Sequence, residues 1–187
     1  MFKTQLPTAI KNVQRMVQEK NGPCIIAGGA IRDTVLGAHV KDVDVFISKA
    51  NFKTSNIQTA VSGSWNLDSI SSKAKFERAY ESYMIDDMHD IRVDPLPVQI
   101  IVLKCDPEEY VTKCFDYGIC KVWYDGQYTK FHNDFITDVN NKLITRVITD
   151  EKMAEMYSNR QWAVARMIEH GERIKRKYPA FELNHRL

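Results

Sequence analysis

Residues 28–47 read GGAIRDTVLGAHVKDVDVFI, and this stretch narrows the fold more than any other part of the chain. Just before it, Cys24–Ala27 is a short apolar run that predicts a strand. Gly28-Gly29 predicts a tight turn, and Ala30–Leu36 a short helix that Gly37 closes. Val40–Ile47 alternates with period two, so Val43, Val45 and Ile47 face one way and Asp42, Asp44 and Phe46 the other. Strand, turn, helix, loop, strand is an α/β unit, and it commits the chain to a sheet flanked by helices.

The rest of the chain extends that plan. Ile10, Val13, Met16 and Val17 give residues 7–19 helical spacing, and Asn21-Gly22-Pro23 stops the helix. A helix is expected around Phe52–Val61, a strand over Lys75–Met84 and an acidic turn at Asp86–Asp90. Val98–Leu103 is β-branched and predicts a strand, and Asp106-Pro107-Glu108-Glu109 opens a helix with an Asp cap and a first-turn proline. Ile119–Tyr124 predicts a strand closed by the hairpin signal Asp125-Gly126, and Glu151–Lys177 reads as one helix. At 187 residues this suits one domain with a small appendage, divided as a head over 1–148 and a helical extension over 149–187.

Composition excludes several classes. Hydrophobic residues make up 44% and charged residues 27%, as in a globular soluble protein. The four cysteines, Cys24, Cys105, Cys114 and Cys120, have neither zinc-site nor disulfide-framework spacing, which fits a reducing compartment. The N-terminus lacks an apolar signal-peptide core and no run reaches the length of a membrane span, so the expectation is a cytoplasmic protein without a membrane partner. The net charge of +2 says little, but Arg160, Arg166, Arg173, Lys175, Arg176, Lys177 and Arg186 concentrate positive charge near the end. Such a run is either a solvated helix face or a surface for phosphates.

The chemistry of residues 28–47 follows from residue types. Glycines let the backbone approach a triphosphate without a Cβ in the way. The helix after them offers N–H groups and a favourable dipole to an anion. Arg32 carries a planar fork suited to phosphate oxygens, while Asp33 either touches ligand or braces the turn. Asp42 and Asp44 project from one strand face, so their hard oxygens can share Mg²⁺ or Mn²⁺. Taken singly, a Gly-Gly is only a turn and an Asp-x-Asp only a solvated strand face; their joint order carries the reading.

This segment resembles the head-domain motif of the polymerase-beta-type nucleotidyltransferase superfamily, in particular the class II tRNA CCA-adding enzymes and bacterial poly(A) polymerases. Gly28, Gly29, Arg32, Asp33, Leu36, Gly37, Asp42 and Asp44 carry the resemblance. A fainter likeness links Asp138–Arg146 to the stretch that leads into that group's neck helices, where Arg160 and Arg166 take the place of neck arginines. Residues 97–126 are similar to a segment of small viral and phage nucleotidyltransferase-like proteins. The resemblance implies an α+β fold, a mixed sheet flanked by helices with a short helical C-terminal extension. It implies Asp42 and Asp44 as catalytic and metal-binding residues, and Gly28, Gly29, Arg32, Asp33, Arg160 and Arg166 as nucleotide-binding ones. An NTP would be the substrate, an RNA or tRNA end, a protein or a small molecule the acceptor, and the bacterial host cytoplasm the setting of a phage-encoded chain.

Three departures qualify that implication. The strand expected to bring a third carboxylate offers Gln99, with Asp116 and Asp125 as candidate substitutes. The family's acidic base-selecting pair falls on Met156-Tyr157, so base preference does not transfer. The chain ends soon after the neck-like helices, which implies a different hold on any tRNA. Gln99 keeps open a catalytically weak nucleotide- or RNA-binding module, and a viral interaction protein reusing the fold is a further alternative. His39 reads as a loop histidine, with phosphate contact the lesser alternative, Lys41 as either a phosphate contact or an exposed residue, His89 as part of a solvated acidic turn, Trp123 as core, and Trp162 as a packing or base-stacking residue.

Overall fold

In the computed structural model, residues 5–53, 82–93 and 96–185 are described. Helix α1 (Thr8–Asn21) leads into strand β1 (Cys24–Ala27), helix α2 (Gly29–Leu36) and strand β2 (Val43–Ser48). Strands β3 (Ile85–Val93) and β4 (Leu96–Leu103) follow, then helix α3 (Pro107–Cys114), a 3₁₀ turn at Gly118–Cys120 and the hairpin β5 (Val122–Tyr124) and β6 (Thr129–Phe131). Helix α4 (Asn133–Asn141), strand β7 (Leu143–Thr145), helices α5 (Asp150–Met156) and α6 (Arg160–Lys177), and strand β8 (Glu182–Asn184) complete the order.

Among the described residues, six strands form one mixed sheet in the order β3-β4-β2-β1-β5-β6. The pair β2–β4 is parallel and the other neighbours run antiparallel. β1 sits centrally and is buried along its whole length, which accounts for the unbroken apolar run Cys24–Ala27. In α1 the residues Ile10, Val13, Gln14 and Val17 turn inward at helical spacing, and the Gln14 amide donates to the Cys24 carbonyl. The last strand, β8, pairs in parallel with β7, which ties the C-terminal end to the residues after α4. No helix among the described residues is long and apolar enough to cross a membrane.

The expected α/β order holds, with five local corrections. Asp86–Asp90 is not a turn but lies within β3, because β3 is an edge strand whose charged residues have solvent beside them. The expected single helix over Glu151–Lys177 is two helices: Asn159 accepts from the Trp162 amide at 3.0 Å and starts a new helix. Residues 119–121 are not strand, since the 3₁₀ turn pulls Gly118 against Asp134 and Asp138, leaving strand only from Val122. Residues 82–84 make only a bridge from Ser82 to Tyr157 and a turn, and Phe52-Lys53 are not helical; the remainder of those two expected elements lies outside the described residues.

Helix α6 packs closely on Tyr117 at Gly171. A Cβ there would stand 2.7 Å from Tyr117 Cζ and closer still to its hydroxyl, which donates to the Met167 carbonyl at 3.1 Å. Alanine gains about 1 kcal/mol of helix propensity over glycine, whereas overpacking a fitted site costs about 1–3 kcal/mol. Gly171→Ala is therefore expected to lower the melting temperature. A rise would show that α6 does not pack on Tyr117 in this way.

Candidate active site

The turn after β1 is built by glycine for a geometric reason. Gly28 has φ of +70°, a conformation that side chains with a Cβ rarely adopt, and its N–H donates to the Val122 carbonyl at 3.1 Å. The backbone thus leaves the sheet abruptly and enters α2 at Gly29. No side chain caps this helix end, and Gly28 and Gly29 line the cleft beside β2.

That cleft, about 600 Å³, is lined by Gly28, Gly29, Arg32, Asp33, Asp42 and Asp44 together. Asp42 is exposed just before β2, and Asp44 is half-buried one residue into the strand. Burial, then the neighbouring charges of Asp42 and Asp90, push Asp44 up to about 7. A carboxylate so crowded by negative charge is one that a cation would relieve.

Arg32 is buried beneath this floor. Its Nε donates to Asp33 at 2.8 Å, its Nη1 to the Cys120 sulfur at 3.2 Å, and its guanidinium lies 5.5 Å from the centre of the Tyr178 ring. The Nη2 end lies 3.8 Å from where a Cβ on Gly29 would stand, beside the turn. Asp33 also accepts from the Tyr178 hydroxyl at 2.6 Å and from Lys177. Its role in the structure is therefore to brace Arg32 and anchor the end of α6.

Helix α6 forms the opposite wall. Ala163, Met167 and Ile174 are buried at the base of this wall, and Arg166, His170, Arg173 and Lys177 add charge to the cleft lining at helical spacing. Arg166 stacks 5.1 Å over the Trp162 ring, which also lines the cleft. Arg160 is elsewhere: it is exposed, donates to Asp150 at 2.6 Å and does not line the cleft. The two candidate substitutes for a third carboxylate also separate. Asp125 serves its own hairpin turn, accepting from the amides of Gln127 and Tyr128. Asp116 lines the cleft and pairs with His170 at 2.7 Å.

Three residues here were not singled out as a group from the sequence. Asp116, Cys120 and His170 bring potential ligand atoms within 4.8 Å of one another, a set that could hold a metal. In the structure they serve each other, with Arg32 on Cys120 and Asp116 on His170. The signal for His170 was its place beside the buried stripe of α6, four residues before Ile174. His89, by contrast, stacks on Phe52 with ring centres 4.9 Å apart and pairs in register with Ile100.

His170 is held as a cation. Burial opposes its charge, but Asp116 overcomes that by attraction and hydrogen bonding, and Cys120 adds to it, so the ring is raised to about 10. A histidine raised above its usual 6.5 stabilises the fold fully below that pH and loses the contribution as pH rises through about 10. Asp116→Asn should bring the ring's titration down into or below the neutral range. Proton NMR of His170 should show a constant charged ring between pH 6 and 8 in the parent and no such plateau in the variant; a titration already near 6.5 in the parent would contradict the pairing.

Comparison with known structures identifies the fold. A tRNA-processing enzyme in an apo form aligns at a TM-score of 0.65 with 15% identity, covering 98% of this chain and 46% of that one. The Thermotoga maritima CCA-adding enzyme complexed with tRNA aligns at 0.64 with 15% identity, covering 99% and 43%. The Bacillus stearothermophilus CCA-adding enzyme in complex with CTP aligns at 0.60 with 15% identity, covering 95% and 41%. The mixed sheet and its helices are those of nucleotidyltransferase head domains, and the chain spans less than half the length of these enzymes. No curated protein matches the chain. The model of one protein family, described as Gabija anti-defense 2 family protein, matches residues 1–142.

Proposed function

The chain belongs to the Gabija anti-defense 2 family, and from that premise and the cleft we propose that it is a metal-dependent nucleotidyltransferase acting in anti-defence. The observation that carries the reading is one of charge: a glycine turn, two carboxylates on one strand end and a basic helix face converge on a single cleft. That pattern suits a triphosphate, whose negative charge needs both cationic side chains and a shared divalent ion.

The residues present fit Mg²⁺ or Mn²⁺. Asp42 and Asp44 offer hard oxygens, and Asp44 is held at about 7 by burial and its acidic neighbours until a cation relieves it. When bound, the ion supplies charge neutralisation on the triphosphate and lowers the pKa of the attacking hydroxyl. The chain's own groups do the positioning. Gly28, Gly29 and the first amides of α2 receive phosphate oxygens, and Arg32 approaches from below with Asp33 holding it in place. Arg166, Arg173, Lys177 and cationic His170 face the same anion from α6. The acceptor oxygen forms a new bond to the α-phosphorus as the bond to the β-phosphate oxygen breaks; pyrophosphate leaves and the hydroxyl proton passes to solvent. Of the two neck arginines, Arg166 contacts the nucleotide directly, and Arg160 does so only by releasing Asp150.

Residues 1–148 would act as the head, and 149–187 as an extension that supplies the second wall. The proposed acceptor is an RNA or tRNA end, a protein hydroxyl or a small molecule, and the proposed setting is the host cytoplasm of a phage-encoded protein. Gln99 favours one rival, a module that binds NTP or RNA without turnover.

Incubation with each α-labelled NTP, Mg²⁺ or Mn²⁺, and host RNA and protein should yield labelled product and pyrophosphate. Asp42→Ala/Asp44→Ala should reduce transfer by at least about 10²-fold. Equal activity in the double variant would remove the assignment, and NTP binding without pyrophosphate would establish the rival. In the same preparation, Arg166→Ala should weaken NTP binding by about tenfold while Arg160→Ala changes it little, as charge-assisted contacts are worth about 1.5–3 kcal/mol; equal losses would place both arginines on the nucleotide.

A further inference from the structure

The position opposite Asp44 on the neighbouring strand is Gln99, and the position opposite Gln99 on the next strand is Asp90. Register partners on adjacent strands leave the same face of a sheet, about 4.8 Å apart per strand. Asp44, Gln99 and Asp90 therefore form one row across β2, β4 and β3, with Asp44 and Gln99 lining the cleft. Within the row, Gln99 Nε2 donates to Asp90 Oδ1 at 2.8 Å.

An ionised carboxylate only accepts hydrogen bonds, so Asp90 can satisfy the nitrogen end of the amide and never the oxygen end. We propose that Asp90 is a positioning residue that fixes the Gln99 amide with Oε1 turned toward Asp44, making Gln99 a neutral oxygen ligand beside the two carboxylates. This rests on the reading of the cleft as a divalent-metal site and adds to it a way in which the site is completed without a carboxylate on β4. The negative charge missing from β4 stands one strand further out, on Asp90. Outer partners of this kind orient ligands, and their loss typically weakens metal binding by about 10–100-fold.

The arrangement makes a reciprocal prediction. Gln99→Glu alone places two carboxylates at hydrogen-bonding distance, and their repulsion cancels the gain of a third acidic ligand. Asp90→Asn/Gln99→Glu exchanges the two chemistries: the amide now on β3 donates and the carboxylate now on β4 accepts, so a full third carboxylate faces Asp44. In Asp90→Asn alone, two amides can pair in either orientation and Oε1 is no longer directed.

The test is Mn²⁺ titration of the full chain, followed by electron paramagnetic resonance of the free ion, with circular dichroism confirming that each variant is folded. Asp90→Asn and Asp90→Leu should each bind Mn²⁺ roughly tenfold more weakly than the parent. The exchanged double variant should bind more tightly than either single variant at these positions and more tightly than the parent. Unchanged binding in both Asp90 variants would overturn the proposal, as would a double variant no tighter than Asp90→Asn. Asp42→Ala/Asp44→Ala sets the background. If the parent binds no better than that background, the metal-site reading itself fails and the role of Asp90 fails with it; if the parent binds well and the Asp90 variants match it, only the role of Asp90 fails.

Discussion

The Asp33 carboxylate holds the two halves of the cleft together. It accepts from Arg32 on its own helix, and from Tyr178 and Lys177 at the far end of the chain. A buried carboxylate must be compensated by donors around it, and here the donors come from two helices distant in sequence. The same bonds that satisfy Asp33 therefore fix the end of α6 over α2. The basic face of α6 is aimed at the glycine turn because its last turn is anchored there. Gly171, pressed on Tyr117, sets how near the helix can come.

On that frame, charges are sorted by layer. Acidic groups sit at the start of the interior strand β2, at Asp42 and Asp44, with Asp90 further out in the row, while cations approach from the helices. The separation of signs across an open cleft is unfavourable to carboxylates crowded together, as Asp44 shows, and favourable to a ligand that carries both a cation and phosphates. In the third group Asp116 pairs with His170, and Arg32 donates to Cys120.

The parts of this arrangement legible in the sequence were the local ones. Gly28-Gly29, the helix ending at Gly37 and the alternation through Asp42 and Asp44 each depend on neighbours a few residues away, and the structure contains that strand, turn, helix and strand in order. The Asn159 cap was also a local signal, but the long apolar stripe from Met153 to Ile174 masked it. What could not be read were side chains brought together by sheet register or by packing of the two chain ends. Asp90 lies in a polar run that suggests a turn until β4 pairs with it, and only the register places it opposite Gln99. Asp33 reads equally as a ligand contact or a brace of the turn until Tyr178 and Lys177 arrive from the end of the chain. Arg160 and Arg166 differ by six positions in one helix, yet one leaves the cleft for Asp150 and the other enters it.

The central claim is that a divalent ion and a triphosphate meet between the strand-end carboxylates and the glycine turn. A crystal of the protein grown with Mn²⁺ and a non-hydrolysable NTP analogue tests it most directly through the anomalous signal of the metal. The account expects that signal between Asp42 and Asp44, with the phosphates against Gly28-Gly29 and the basic face of α6. A metal signal at Asp116, Cys120 and His170 instead, or an analogue bound away from the turn, would contradict it.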